Sequence, residues 1–270
     1  MRVLITGAAG RIGGYLRSRL ARPDRVLRLL DIVPLTAGPG EEVVQGSVDD
    51  VDVLIEASRD VDAVIHLAGI PSETEWDRIL TTNIDGTYHA IEAARRAGVR
   101  RFVFASSNHA VGFLARDADG GKAPDYAFPA PDTYYGVSKV AGEALSALYH
   151  HRYGMDAVCL RILSCLDRPE STRQLATWLS PDDAGRLFEA ALSTPSPGFR
   201  VVWGVSANTR SWFSMDEATA LGYHPKDDAE AYADELVAGH GEPDPDDPVQ
   251  RLVGGPFTLG TFDADHLTAR

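Results

Sequence analysis

The chain is 270 residues long, 44% hydrophobic and 24% charged, enough to bury a full core as one large domain or as one domain with a small appended lobe. A net charge of -13 argues against nucleic acid and anionic membranes as partners, because both demand basic patches. Much of the acid excess falls late, at Asp227-Asp228 and over 242–247, and reads as a solvating surface. Two cysteines, Cys159 and Cys165, are too few for a disulfide framework. No charged segment followed by an apolar one opens the chain and no apolar run is long enough to span a bilayer, so the expected compartment is the cytoplasm.

In chain order, Val3-Leu4-Ile5 reads as a buried strand that runs into Thr6-Gly7-Ala8-Ala9-Gly10-Arg11-Ile12-Gly13 and then a helix with Ile12, Leu16 and Leu20 on one face. In this glycine spacing Gly7 allows the tight turn, Gly10 lets the backbone approach a pyrophosphate, and Gly13 lets helix and strand pack closely. Residues 26–30 form a second strand ending at Asp31, about 20 residues past the glycines, where a carboxylate accepts hydrogen bonds from an adenosine ribose. A carboxylate there repels a 2′-phosphate and favours NAD over NADP, although Arg11 beside the phosphate loop could tolerate NADP. Val43-Val44 with Gly46-Ser47-Val48 reads as a third strand, 51–57 as a helix, and 63–68 as a fourth strand leading into Gly69. His66 is expected to be a packed strand residue. A long helical region follows, with Asn83 inside it and Ile91, Ala94 and Ala97 on its apolar face; 101–105 is a fifth strand ending in Ser106-Ser107-Asn108-His109.

Repeated strand–helix units with short joins predict an α/β, Rossmann-type, doubly wound parallel sheet, and ligands in such sheets sit at the carboxyl ends of the strands. The glycine loop, Asp31, Leu67-Ala68-Gly69 and Ser107 to His109 all fall at that edge. Further on, Tyr135-Gly136-Val137-Ser138-Lys139 opens a helix. A tyrosine and a lysine four apart share one helix face, and an ammonium beside a phenol of ordinary pKa about 10 favours the phenolate needed for general-base work. Residues 160–163 read as a sixth strand, 172–179 and 181–192 as helices, and 201–203 as another strand. Asp182-Asp183 in the first turn of the second of these helices suit its dipole. Trp203, Trp212 and Phe213 are expected to be packing residues.

Together, Thr6-Gly-x-x-Gly-x-x-Gly13, Asp31, Asn83, Ser107 and Tyr135-x-x-x-Lys139 resemble the extended short-chain dehydrogenase/reductase family, through about Cys165. The segments Ala-Ser-Ser-Asn-His-Ala-Val-Gly (105–112), Tyr-Gly-Val-Ser-Lys (135–139), Arg-Ile-Leu-Ser-Cys (161–165) and Trp-Gly-Val-Ser-Ala-Asn (203–208) look like those of uronate dehydrogenases. That likeness runs nearly end to end, through Leu-Gly-Tyr-His-Pro-Lys-Asp (221–227). It implies oxidation of glucuronate or galacturonate at the anomeric carbon to an aldarolactone, with NAD as acceptor. Residues from about 164 to 270 would then supply a small substrate-side lobe on a single domain, in a homo-oligomer.

Carried over by position, the resemblance makes Tyr135 the base for the C1 hydroxyl. Lys139 would lower its pKa and hold the nicotinamide ribose, and Ser107 would polarise the reacting oxygen. The cofactor would meet Gly7, Gly10, Arg11, Ile12 and Gly13, then Asp31, Ile32, Ser47 and Val48, then Leu67, Ala68 and Gly69. Asn83 would support the active-site helix and relay, and the backbone of Cys165 would meet the nicotinamide amide. Asn108, His109 and Ser164 would bind sugar hydroxyls, and Arg173 would grip the C6 carboxylate in a bidentate way. No metal is implied. The pattern departs from the family at Ser47, where an aspartate often reaches adenine, and at Pro71-Ser72, which leaves open which of the two residues meets the sugar. The shortness of the segment beyond the sixth strand favours a free sugar acid over a nucleotide sugar. The rival readings are an epimerase or dehydratase that retains NAD and returns the hydride, and a non-catalytic dinucleotide sensor.

Overall fold

Seven short runs rich in Val, Leu, Ile and Phe associate as a parallel sheet in a computed structural model that describes residues 1–260. Strands β1 (Arg2–Thr6), β2 (Val26–Asp31), β3 (Glu41–Gln45), β4 (Ala63–His66), β5 (Arg101–Ser107) and β6 (Asp156–Ile162) are joined by helices α1 (Arg11–Arg19), α2 (Val51–Ala57), α3 (Trp76–Arg78), α4 (Gly86–Arg96) and α5 (Tyr134–Tyr153), except that a loop alone joins β2 to β3. A two-stranded ribbon of β7 (Ser164–Cys165) and β8 (Trp178–Leu179) flanks α6 (Gln174–Thr177), and α7 (Pro181–Ser193) leads to β9 (Phe199–Gly204). Helices α8 (Asp216–Ala220), α9 (Ala233–His240) and α10 (Pro248–Arg251) follow. The sheet order β3-β2-β1-β4-β5-β6-β9 reverses between β1 and β4, which opens a crevice above the carboxyl ends of those strands.

Alternate residues of each strand face opposite layers. Val3, Ile5, Leu27, Leu29, Val103 and Leu160 pack against α1 and α7, whereas Leu4, Leu30, Val64, Phe102 and Phe104 pack against α2, α4 and α5. Thus α7 and β9, though late in the chain, belong to the sheet layers. His66 is buried at the sheet edge between the Thr6 and Thr87 hydroxyls, and burial holds its pKa down to about 3. Trp203, Trp212 and Phe213 are packing residues of one buried cluster with ring centroids 4.9 and 4.5 Å apart.

Several expected boundaries move. β3 is Glu41–Gln45, and Gly46 to Val48 lie outside it: the Gly46 N–H closes on the Asp31 carbonyl, and Ser47 begins a turn leading to Asp50, which caps α2. The helix expected over 172–179 is only Gln174–Thr177, because Trp178-Leu179 leaves it to pair with Ser164-Cys165. The fourth strand stops at His66, and the long helical region contains a π-helical stretch, Ile79–Asp85. Asp227 and Asp228 are structural rather than merely solvating: Asp227 accepts from the Ser180 hydroxyl and Arg186, and Asp228 caps the short helix Ala229–Tyr232 and binds Thr209. No helix among the described residues is long and apolar enough to cross a membrane.

Candidate active site

The glycine loop leaves β1 with Gly7 at φ +71°, and a methyl group there would stand 2.7 Å from the Ala68 nitrogen. At Gly13 it would stand 2.6 Å from the Ala8 carbonyl oxygen, so α1 packs on the loop backbone itself. Gly13→Ala is therefore expected to cost upwards of about 2 kcal/mol and to raise the KM for NAD at least tenfold, read by thermal melts and cofactor titration. The first turn of α1 has no side-chain cap, which leaves its N–H groups, including those of Arg11 and Ile12, for an anion. Asp31 ends β2 with Oδ2 accepting from the Ala9 N–H at 2.8 Å and Oδ1 from Val33 at 2.9 Å. The carboxylate thus also fixes the glycine loop. Ile32 is exposed and Val48 buried. A tight turn, uncapped amides, a strand-end carboxylate and small residues at Ala68 and Gly69 fit a dinucleotide.

Asn83 lies in the π-helical stretch and is buried. Its side chain takes both backbone groups of Ile70, at 2.8 and 3.0 Å, and donates to the Ser138 hydroxyl on α5 at 3.2 Å. One residue therefore ties the loop after β4 to the helix carrying Tyr135. Ser72, in that loop, is exposed. Next to it, Glu73 accepts the Tyr135 N–H at 2.9 Å, and Thr133 caps α5 through the Gly136 N–H at 3.1 Å.

Tyr135, Lys139 and Ser107 converge. Tyr135 and Lys139 are buried on the first turns of α5, with the Lys139 ammonium 5.3 Å from the Tyr135 ring centroid and donating to the Ala105 carbonyl at 2.9 Å. Ser107 ends β5, accepts from the His109 N–H at 3.3 Å and donates to Asn108 at 3.2 Å. The expectation that Lys139 depresses the tyrosine needs correction for this state. Burial pushes the Tyr135 hydroxyl up to about 12, a hydrogen bond with Ser107 pulls it partly back, and the Asp132 charge adds to the rise. Burial also drives Lys139 down to about 8 against the opposing charge of Glu143. Desolvation is the largest contribution to both shifts.

The buried lysine has a measurable cost. Below pH 8 folded and unfolded chains both carry its charge and the folded one bears the full desolvation cost. Between about 8 and the ordinary 10.5 only the folded chain has released the proton, and above 10.5 neither state is charged. Lys139→Met is therefore expected to abolish turnover yet raise stability at pH 7 by about 2 kcal/mol, since a penalty of about 3 kcal/mol is offset by the lost bond to Ala105. The gain should fade as the pH approaches 10.5, as followed by denaturant unfolding.

The sugar-side candidates form a hydrogen-bonded set beside Ser107. Asn108 donates to the Val253 carbonyl at 2.8 Å, and the same oxygen accepts from Nη2 of Arg173. Arg173 also donates to the Val249 carbonyl at 3.0 Å and the Thr177 hydroxyl at 3.2 Å, and Thr177 meets Ser164 at 3.0 Å. No carboxylate among the described residues lies within ion-pair distance of Arg173, and burial of its guanidinium lowers it to about 10 against the opposing charge of Asp132. Arg168, by contrast, pairs with Glu235 on the surface at 2.6 Å. His109 bonds Asp132 at 2.7 Å and packs on Phe257, ring centroids 4.1 Å apart. Cys165 is buried, with a thiol pushed up to about 12 by burial, and is no nucleophile.

Sequence reasoning missed Glu73, Asp132, Thr177 and the carbonyls of Val249 and Val253. Only Asp132, beside the helix-capping Thr133 directly before Tyr134, carried a readable signal. An open cavity of about 590 Å³ lies elsewhere, between α1 and α7, but its Arg19 and Arg22 are already paired with Asp182 and Glu189. It is a seam between helices. No cluster of three or more metal-ligating side chains occurs among the described residues.

Residues 3–193 match the NAD dependent epimerase/dehydratase family. The chain is 42% identical to uronate dehydrogenase of Pseudomonas putida, over 96% of either chain, and 43% identical to that of Agrobacterium fabrum, over 95% of this chain and 96% of the other. A crystal structure of Agrobacterium tumefaciens uronate dehydrogenase, a tyrosine-to-alanine mutant complexed with NAD, superposes with a TM-score of 0.89 at 40% identity, covering 95% of this chain and 96% of that one. With this sheet order, glycine loop and Tyr–Lys–Ser cluster, the chain belongs to the NAD-dependent epimerase/dehydratase family, on its uronate dehydrogenase branch.

Proposed function

We propose that the protein is an NAD-dependent dehydrogenase that oxidises a hexuronate, glucuronate or galacturonate, at C1 to the aldarolactone. The observation that carries this reading is the buried Arg173, a guanidinium with no carboxylate within ion-pair distance among the described residues although it feels the Asp132 charge, linked to Ser107 through Asn108 and the Val253 carbonyl. A buried cation held only by carbonyls and a hydroxyl suits an incoming carboxylate.

NAD, held by the glycine loop, Asp31, the β4 and β7 strand ends and Lys139, supplies the hydride acceptor and, when oxidised, a positive charge. Positive charge near a phenol lowers its pKa, which the Tyr135 hydroxyl needs, starting from about 12. Tyr135 takes the proton of the C1 hydroxyl, and Ser107 donates to the same oxygen. Lys139 holds the ribose and adds its charge to the Tyr135 side. Asn83 keeps the β4 loop and α5 in register. Asn108, His109 and Ser164 orient the ring hydroxyls, with Ser72 or Pro71 at the rim, and Arg173 binds the C6 carboxylate. Residues from about 164 to 260 supply the sugar side of this single domain, α7 and β9 excepted, and residues 261–270 of the expected lobe lie outside the described residues. We also assign the cytoplasm, on the sparse cysteines, and a homo-oligomer, on the family likeness; light scattering of the purified chain reads the latter.

The deciding assay mixes purified protein with NAD and either uronate and follows NADH absorbance. Steady NADH formation is expected. Turnover of a neutral aldose alone would overturn the substrate. Tightly held NAD with no net NADH would instead favour the epimerase or dehydratase reading.

A further inference from the structure

His109 is the sugar-side group whose hydrogen-bonding sense is not fixed by its covalent structure, because either ring nitrogen can carry the proton. Its Nδ1 lies 2.7 Å from Oδ2 of Asp132, a side chain with no exposed surface. Carboxylate oxygens accept and do not donate, so the proton sits on Nδ1. No hydrogen bond engages Nε2 among the described residues. The carboxylate reaches the ring because small residues surround it: a methyl group on Gly112 or Gly254 would overlap Oδ2, and one on Gly136 would stand 3.1 Å from Oδ1. The Thr133 hydroxyl donates to Oδ1 at 3.1 Å. The imidazole is also held by Phe257, 4.1 Å away, and by Tyr135, edge-on at 5.7 Å. Arg173 and Tyr135 are the titratable groups that feel the Asp132 charge.

The geometry points to Asp132 as a positioning residue for substrate binding, one that holds His109 as the Nδ1–H tautomer so that Nε2 accepts a hydrogen bond from a sugar hydroxyl. The identity of the ligand rests on the functional reading above; the tautomer does not. The hydroxyl facing His109 must then be a free donor, so the sugar methylated at that oxygen loses the bond.

Two measurements test this. Two-bond nitrogen–proton NMR of the ligand-free protein, with the His109 signals assigned by their loss in His109→Gln, should show Nδ1 protonated and Nε2 bare. Asp132→Asn keeps the shape but offers Nδ1 either a donor or an acceptor, so the preference is lost. In that variant the Nε2–H form should appear, and the KM for hexuronate should rise about 10- to 100-fold with the KM for NAD little changed, while the alkaline limb of kcat moves to lower pH because the Asp132 charge no longer raises Tyr135. A wild-type His109 protonated on Nε2 overturns the proposal, as does an Asn variant that retains both the tautomer and the wild-type KM. If the variant does not fold, the wild-type spectrum alone decides. If the wild type turns over no hexuronate, the functional reading falls and the spectrum still decides the role of Asp132.

Discussion

Tyr135→Phe is expected to lower kcat for hexuronate oxidation by about a thousandfold, within the span that a positioned general base contributes, while leaving both KM values close to wild type. The substitution removes one oxygen. Ser107 keeps its bonds to Asn108 and to the His109 N–H, and α5 keeps its Thr133 and Glu73 caps, so stability should change by no more than about 1 kcal/mol. Proton bookkeeping gives a second signature. A base whose proton is held as high as about 12 by burial works better as the pH rises, so wild-type kcat/KM should climb on the alkaline side. Its limb at saturating NAD should lie below that value, because a cation beside the phenol favours the phenolate. The Phe variant should lose the limb. Retention of more than about a tenth of wild-type kcat would remove Tyr135 from the role of base.

The fold was legible wherever local pattern and tertiary role coincide. The run before Gly7, the 51–57 helix and the strand ending at Asp31 stand where apolar periodicity and glycine spacing put them, because these elements bury a face in the central layers. Legibility failed where a distant partner decides. Glu41 and Glu42 look nothing like a strand, yet on the sheet edge they pair with Arg17 and Arg28, and the strand starts there. Trp178 and Leu179 continue a helical pattern but leave it for two residues at 164–165 that no local signal connects to them. The same division holds in the site. Tyr135, Lys139, Ser107 and Arg173 could be named from the sequence because they stand in motifs of the family it resembles. The carbonyls of Val249 and Val253, which hold Arg173 and Asn108, could not be read, since every residue has a carbonyl and only the fold selects these two. The sign of the Tyr135 shift escaped for a related reason: spacing brings the ammonium near, but only the burial of both groups shows that desolvation wins.

Arg173→Ala is expected to cut kcat/KM for hexuronate by about 10²- to 10³-fold, chiefly through KM, because truncating one partner of a buried, hydrogen-bonded charge pair costs about 2–5 kcal/mol. Turnover of the corresponding neutral hexose should change less than about threefold, so the variant loses discrimination more than catalysis. Arg173→Lys should recover only part of the loss, since an ammonium keeps the charge but not the paired N–H groups of the guanidinium fork. Truncation also strips the Val249 and Val253 carbonyls of a donor, which loosens the segment beyond α10. Asn108 still holds Val253, so that loosening is partial and appears as a lower Tm of the ligand-free variant. A ligand-linked melt separates the two effects. Burial depresses the wild-type guanidinium to about 10, and a carboxylate partner relieves that cost, so uronate without NAD should raise the wild-type Tm and leave that of the Ala variant unmoved. Equal Tm gains in both proteins, or a KM for uronate that is unchanged in Arg173→Ala, would place the C6 carboxylate against another group, and the case for a uronate over a neutral sugar would then rest on family likeness alone.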